Sequence, residues 1–170
     1  MRCLFATLIV VSLAACGDNE QALAPTGLAQ VKIGMTPDEA AKALGAALTP
    51  RGERDEEACW YTHRADVEPR KDVDYMVVDG KITRIDVFAP DIKTAAGLGV
   101  GASLEELQTA YGGPRLKVLA HKYSEAPQSY YVKWTDYNPS QGILFDVVEN
   151  KVTSIRGGHI PEIDWVEGCL

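Results

Sequence analysis

Apolar and polar positions along the chain fall into a pattern that occurs twice. The stretch "IGMTPDEAAKALG" starts at Ile33 and "VGASLEELQTAYG" starts at Val100. Both read apolar, Gly, small-or-Met, Thr/Ser, two residues, Glu, then an apolar-periodic run closed by Gly. Thr36 and Ser103 are expected N-caps, with Glu39 and Glu106 three residues on to complete a capping box. Pro37 suits the first helical position. Gly45 and Gly112 stand where a left-handed residue ends a helix. Ala40 and Leu44, and in the second copy Leu104, Leu107 and Tyr111, form one apolar stripe. Helices of about eight residues do not stand alone in water and must pack on something.

A period of two supplies the packing partner. "DYMVVDGKITRIDVF" begins at Asp74 and "LFDVVENKVTSIRGG" at Leu144. Each is a β-branched run, a turn pair, Lys, then Ile/Val-Thr-x-Ile. Asp79-Gly80 is a strong hairpin signal and Glu149-Asn150 a weaker one. Between helix and hairpin, "ACWYTH" (58–63) and "QSYYVKWTDY" (128–137) read as aromatic strands. Alternation puts Tyr130, Val132 and Trp134 on one face, and Tyr131, Lys133 and Thr135 on the other. The charged stretches "RGERDEEA" and "RADVEPRKD" read as loops. The expected fold is α+β: two tandem repeats, each a short helical element on a three- to four-stranded antiparallel sheet, over 31–92 and 93–170.

The chain start follows a different pattern. Arg2 and an apolar run from Leu4 to Leu13 suit a signal peptide over 1–15. The run is too short for a bilayer, which needs about 20 residues. Leu13-Ala14-Ala15-Cys16 resembles the lipobox of bacterial lipoproteins, which implies that Cys16 carries the acyl chains and becomes the mature N-terminus. Two or more chains give stable anchoring. Gly17, rather than Asp, follows the cysteine, which in that family implies outer-membrane attachment facing the periplasm. Residues 16–30 read as a flexible tether. Cys59 and Cys169 remain in an oxidising compartment, where a disulfide is the simple reading and two free thiols the alternative.

The 170 residues carry a formal charge of −7, which argues against nucleic acid as partner. No cofactor or metal is expected. "GLGVGAS" (97–103) lacks the P-loop lysine and reads as a turn entering a helix. His63, His121 and His159 show no ligand spacing and read as surface or loop histidines. No catalytic signature is present, so the chain is expected not to be an enzyme. Half of the aromatics Tyr130, Tyr131, Trp134 and Tyr137 belong in the core by alternation. The outward half either packs as well or forms a protein-binding patch, since aromatics dominate such patches.

"VKIGMTPDEAAKALG", "CWYTHR" and "YMVVDGKITRIDV" together resemble the BamE (SmpA/OmlA) type of outer-membrane lipoprotein. The tandem plan resembles β-lactamase inhibitor protein. The likeness covers 31–88 well and 98–156 more loosely. It implies a non-enzymatic periplasmic protein-binding module in envelope assembly or maintenance. Two alternatives stand: an inhibitor or immunity lipoprotein that neutralises a hydrolase or toxin, and an enzyme whose site only the fold assembles.

Overall fold

The computed structural model describes residues 21–52 and 58–169. The expected signal segment, Cys16 and most of "RGERDEEA" lie outside them. The first helix, α1 (Pro37–Leu44), has Thr36 as N-cap and a complete capping box with Glu39. Helix α2 (Leu104–Tyr111) repeats this with Ser103 and Glu106. Hydrogen bonds from the cap residues hold both glutamates below the usual carboxylate range. Gly45 closes α1 at φ 64. Gly112 does not play that part for α2: its φ is −50, and the positive φ falls on Gly113.

Each helix is tied to a hairpin by the residues just before its cap. Strands β6 (Val73–Val78) and β7 (Lys81–Val87) join through Asp79-Gly80, and β10 (Gln141–Val148) and β11 (Lys151–His159) through Glu149-Asn150. All four turn residues have positive φ, the conformation that matches the twist of a two-residue hairpin. Gly34 N–H donates to the Ile82 carbonyl and Ile82 N–H to Met35; Gly101 N–H donates to Val152 and Val152 N–H to Ala102. Gly34 and Gly101 sit at φ 94 and 91, which explains the glycine in both motifs. Both hairpins also carry a register irregularity at matching places, Met76/Val77 and Asp146/Val147.

The aromatic stretches form β5 (Cys59–Arg64) and β9 (Tyr130–Thr135). Two further strands, β4 (Leu48–Pro50) and β8 (Leu116–Ala120), lie outside them. A helix followed by four strands therefore occurs twice along the chain. The α+β class is as read, but the two four-stranded halves are not separate sheets. They merge into one antiparallel sheet of eight strands, ordered β4-β5-β6-β7-β11-β10-β9-β8. The seam pairs Ile155 with Val87 through to Gly158 with Arg84. Left apart, β7 and β11 would each present open N–H and C=O groups. Gly158 permits the join, because a Cβ there would meet the Thr83 carbonyl oxygen at 2.3 Å.

One face of the sheet is the apolar core. Val77, Ile82, Ile85, Val87, Phe145, Val147 and Ile155 are fully buried there under Ala40 and Leu107 of the helices. Burying each such aliphatic or aromatic side chain contributes about 1.5–3 kcal/mol. The same face corrects the expected tether. Residues 21–30 fold as part of a small antiparallel meander of β1 (Leu23–Ala24), β2 (Gly27–Leu28) and β3 (Val31–Lys32). Leu23, Leu28 and Val31 are buried in the core, and Leu23 N–H donates to the Lys93 carbonyl. Their apolar side chains cover sheet surface that the two short helices leave open.

Candidate functional site

The opposite face of the sheet is built from the other half of the alternation and is rich in charge. Asp74, Arg84, Asp86, Asp146, Ser154 and Arg156 project from the four central strands, with Tyr61 beside them on β5. Asp74, Arg84, Asp86 and Arg156 are all buried. Arg84 is the hub of this layer. Its Nε and Nη2 donate to the two carboxylate oxygens of Asp86 at 2.7 and 2.8 Å, and Nη2 also donates to the Tyr61 hydroxyl. Burial works against the charged guanidinium, yet Asp86 and Tyr61 more than offset it and raise the Arg84 pKa. Desolvation, with the Asp86 charge behind it, pushes the Tyr61 phenol up to about 12. Arg51 stacks on the Tyr61 ring with its guanidinium carbon 3.8 Å from the centroid, and pairs with Asp74.

A C-terminal strap crosses this face. Its 3-10 turn, Glu162–Asp164, seats Ile163 against Tyr131 and Leu144 in a second, smaller apolar cluster. Arg84 Nη1 donates to the carbonyls of Glu162 and Trp165, both at 2.8 Å. Lys133 pairs with Asp164. The strap ends in a disulfide between Cys169 and Cys59, with Cα atoms 5.4 Å apart. The two cysteines are bonded, and the tail returns to the first half of the chain. A cleft of about 80 Å³ remains between strap and sheet.

The aromatic candidates do not form one patch. Tyr130 and Trp134 pack against the main core, and the Trp134 ring lies 5.5 Å from that of Tyr111. Tyr131 is only 5% exposed, under the strap and stacked on His121. Both faces of β9 are covered, so alternation sends neither half outward. Tyr137, 84% exposed, lies past the strand and stacks on Arg115. Other exposed apolar side chains lie on the neighbouring strand β8, where Val118 and Leu119 are each 41% exposed, at Tyr123 just after it, and at Trp165 on the strap.

Strand β8 ends the sheet. The Arg115 carbonyl accepts from Thr135 N–H, so the antiparallel alternation directs the N–H and C=O of Val118 and Ala120 away from β9. The opposite edge, β4, is three residues long and ends in Pro50, a blunted edge. Sequence reasoning did not single out β8 because "LKVLA" is short and carries no turn signal of its own.

The histidines also depart from expectation. His63 is buried, its Nδ1 2.9 Å from the carbonyls of Arg64 and Val67. The His121 side chain is buried too. Its Nδ1 accepts the N–H groups of Tyr123 and Ser124, which leaves Nε2 to donate to Asp146 at 3.0 Å. Among the described residues, no three His, Cys, Asp or Glu side chains are grouped to hold a metal ion, and no helix is long and apolar enough to cross a membrane. An open groove of about 1030 Å³ runs between α1 and the β4–β5 end of the sheet.

No known protein family matches the chain, and no curated protein is similar to it. Solved structures do share the fold. The uncharacterized protein yfeY from Escherichia coli matches 81% of this chain and 99% of its own, at TM-score 0.50 and 15% identity. An extracellular protein containing an SCP domain from Bacillus anthracis matches 75% of this chain at TM-score 0.50 and 9% identity, over 44% of its own length. These are bacterial proteins, and at such identities the likeness is one of fold.

Proposed function

We propose that this chain is a lipid-anchored, non-enzymatic protein-binding module of the bacterial envelope, and that it takes its partner along strand β8. The signal-like segment and the lipobox-like run before Cys16 support the anchor at the periplasmic side of the outer membrane. The observation that carries the binding role is the contrast between the two sheet edges. An open edge with apolar side chains on both faces is a template for an added strand: main-chain hydrogen bonds supply affinity and the alternate side chains supply selectivity. The matching succession of helix and four strands, with matching caps, turns and bulges, supports two copies of one BamE-like unit fused at β7 and β11.

Photo-crosslinking in cells tests the edge. A photoreactive residue at Val118 or Leu119 is expected to give a discrete protein adduct, and one at Thr49 on the blunted edge none. Val118→Pro removes an outward N–H without touching the β9 ladder, and is expected to abolish the adduct formed from Leu119. Absence of adducts at both β8 positions, with the protein in its membrane, would refute the proposed edge. For the anchor, Cys16→Ser is expected to move the protein from the membrane to the soluble fraction. Retention of that variant in the membrane would refute lipidation at Cys16.

A further inference from the structure

We infer that the cleft beneath the C-terminal strap is a receptor for a small oxyanion, a carboxylate or a phosphate, held by Arg156 from below and Arg70 at the mouth. The inference is independent of how β8 is used. The cleft, about 80 Å³, is lined by Arg51, Arg70, Arg84, Asp86, Asp146 and Arg156, with Val166 to Gly168 of the strap as its roof. That is room for two or three waters at about 30 Å³ each, or for one carboxylate or phosphate group in their place.

Most charges of the described residues around the cleft are spent on one another. Arg84 and Asp86 satisfy each other, and the rest of Arg84 goes to Tyr61 and the strap carbonyls. Arg51 holds Asp74, which also accepts the Arg70 backbone N–H. Asp146 accepts from His121 at 3.0 Å. Glu167, on the strap, is engaged by Lys122. Among the described residues, two guanidiniums keep donors to spare: Arg156, whose one ion pair, with Asp146, is long, and Arg70. Arg156 is 8% exposed and stands opposite Asp86 in the ladder without pairing with it. It forms a long ion pair with Asp146 at 3.7 Å, and its buried Nη1 has no hydrogen-bond partner among the described residues. The Arg70 guanidinium forms no ion pair among the described residues and lies 5.4 Å from the Phe88 ring centroid. Arg70 itself is exposed, at φ 59, a backbone conformation unusual for a non-glycine residue.

A buried guanidinium donor without an acceptor is costly, and a carboxylate or phosphate, with two oxygens spaced to meet the guanidinium fork, is the acceptor that matches it. The unspent guanidinium donors favour an anion over a cation. Two guanidiniums reaching one small volume select a group with two or more oxygens over chloride.

Calorimetric titration of the full chain at low salt, with sodium acetate, sodium phosphate and sodium chloride in separate runs, tests this. Saturable binding of acetate or phosphate, and none of chloride, is expected, and the tighter of the two identifies the source of the oxyanion. Arg70→Gln, at the exposed mouth, is expected to weaken binding about tenfold or more. Arg156→Gln is expected to abolish it, and Lys151→Gln on the distant hairpin to leave it unchanged. If Arg156→Gln does not fold, Arg70→Gln decides alone. No saturable heat with acetate or phosphate up to about 50 mM, or equal affinity in Arg70→Gln and the unaltered protein, would overturn the inference and leave a water-filled cleft.

Discussion

Replacing Arg84 by Met gives the sharpest test of what holds the strap to the sheet. The side chain makes five hydrogen bonds: two to Asp86, one to Tyr61, and one each to the carbonyls of Glu162 and Trp165. Both members of the ion pair are almost fully buried. Methionine fills most of the volume but leaves the Asp86 carboxylate without its counter-charge. Removing one partner of a buried pair costs about 3–5 kcal/mol, most of it the penalty for the stranded charge. Arg84→Met combined with Asp86→Leu removes both charges, so the double variant should recover about 1–3 kcal/mol of that loss. What stays lost reports the two strap carbonyls and the Tyr61 hydroxyl. Urea unfolding followed by tryptophan fluorescence measures the three stabilities, and hydrogen exchange at residues 162–168 reports the strap itself. A loss below about 1 kcal/mol in Arg84→Met, or a double variant less stable than the single one, would refute the hub role assigned to Arg84.

Three further outcomes follow from the same structure. Phe145, fully buried with its ring 5.5 Å from Tyr111, should cost about 3–5 kcal/mol when cut to Ala, read as a lower urea midpoint. Tyr61 and Tyr75 are each pushed up to about 12 by desolvation first. Their neutral forms therefore favour the folded state: stability is intact below about pH 10 and falls as pH rises towards 12, by roughly 3 kcal/mol for each phenol. Phenolate absorbance during alkaline unfolding should show both titrating with the transition, and normal titration of these phenols in the folded protein would contradict this. Cys169→Ser should lower stability by about 2–5 kcal/mol, since the bond closes a separation of 110 residues, yet leave Ile163 and the Arg84 bonds in place. Loss of exchange protection in the whole strap of that variant would show the disulfide to be its main anchor.

How much of this was legible in the sequence depended on range. Thr36 with Glu39, Ser103 with Glu106, and the turn pairs Asp79-Gly80 and Glu149-Asn150 each act within about four residues, and each formed as read. The faces of β9 followed from its alternation. The exposure of those faces did not, because alternation divides side chains between two sides without saying what covers each. Tyr131 went inward because a strap more than 25 residues further along lies over it. The buried charges had a readable trace, since Asp74, Arg84, Asp86, Asp146 and Arg156 hold the alternate positions of predicted strands. Their partners come from different strands, so only the register joins them. The likeness between the halves was visible in the chain, whereas their fusion through β7 and β11 into one sheet was not.

The sequence by itself determined the caps, the hairpins, the period-two strands and the α+β class, because those rest on contacts between near neighbours in the chain. Tertiary structure alone decided the single eight-stranded sheet, the open β8 edge, the folding of residues 21–30 onto the core, and the arginine-lined cleft. Each of these depends on which backbone edges and side chains meet across long separations, and pairwise satisfaction of hydrogen bonds and charge over such distances leaves no periodic mark in the chain.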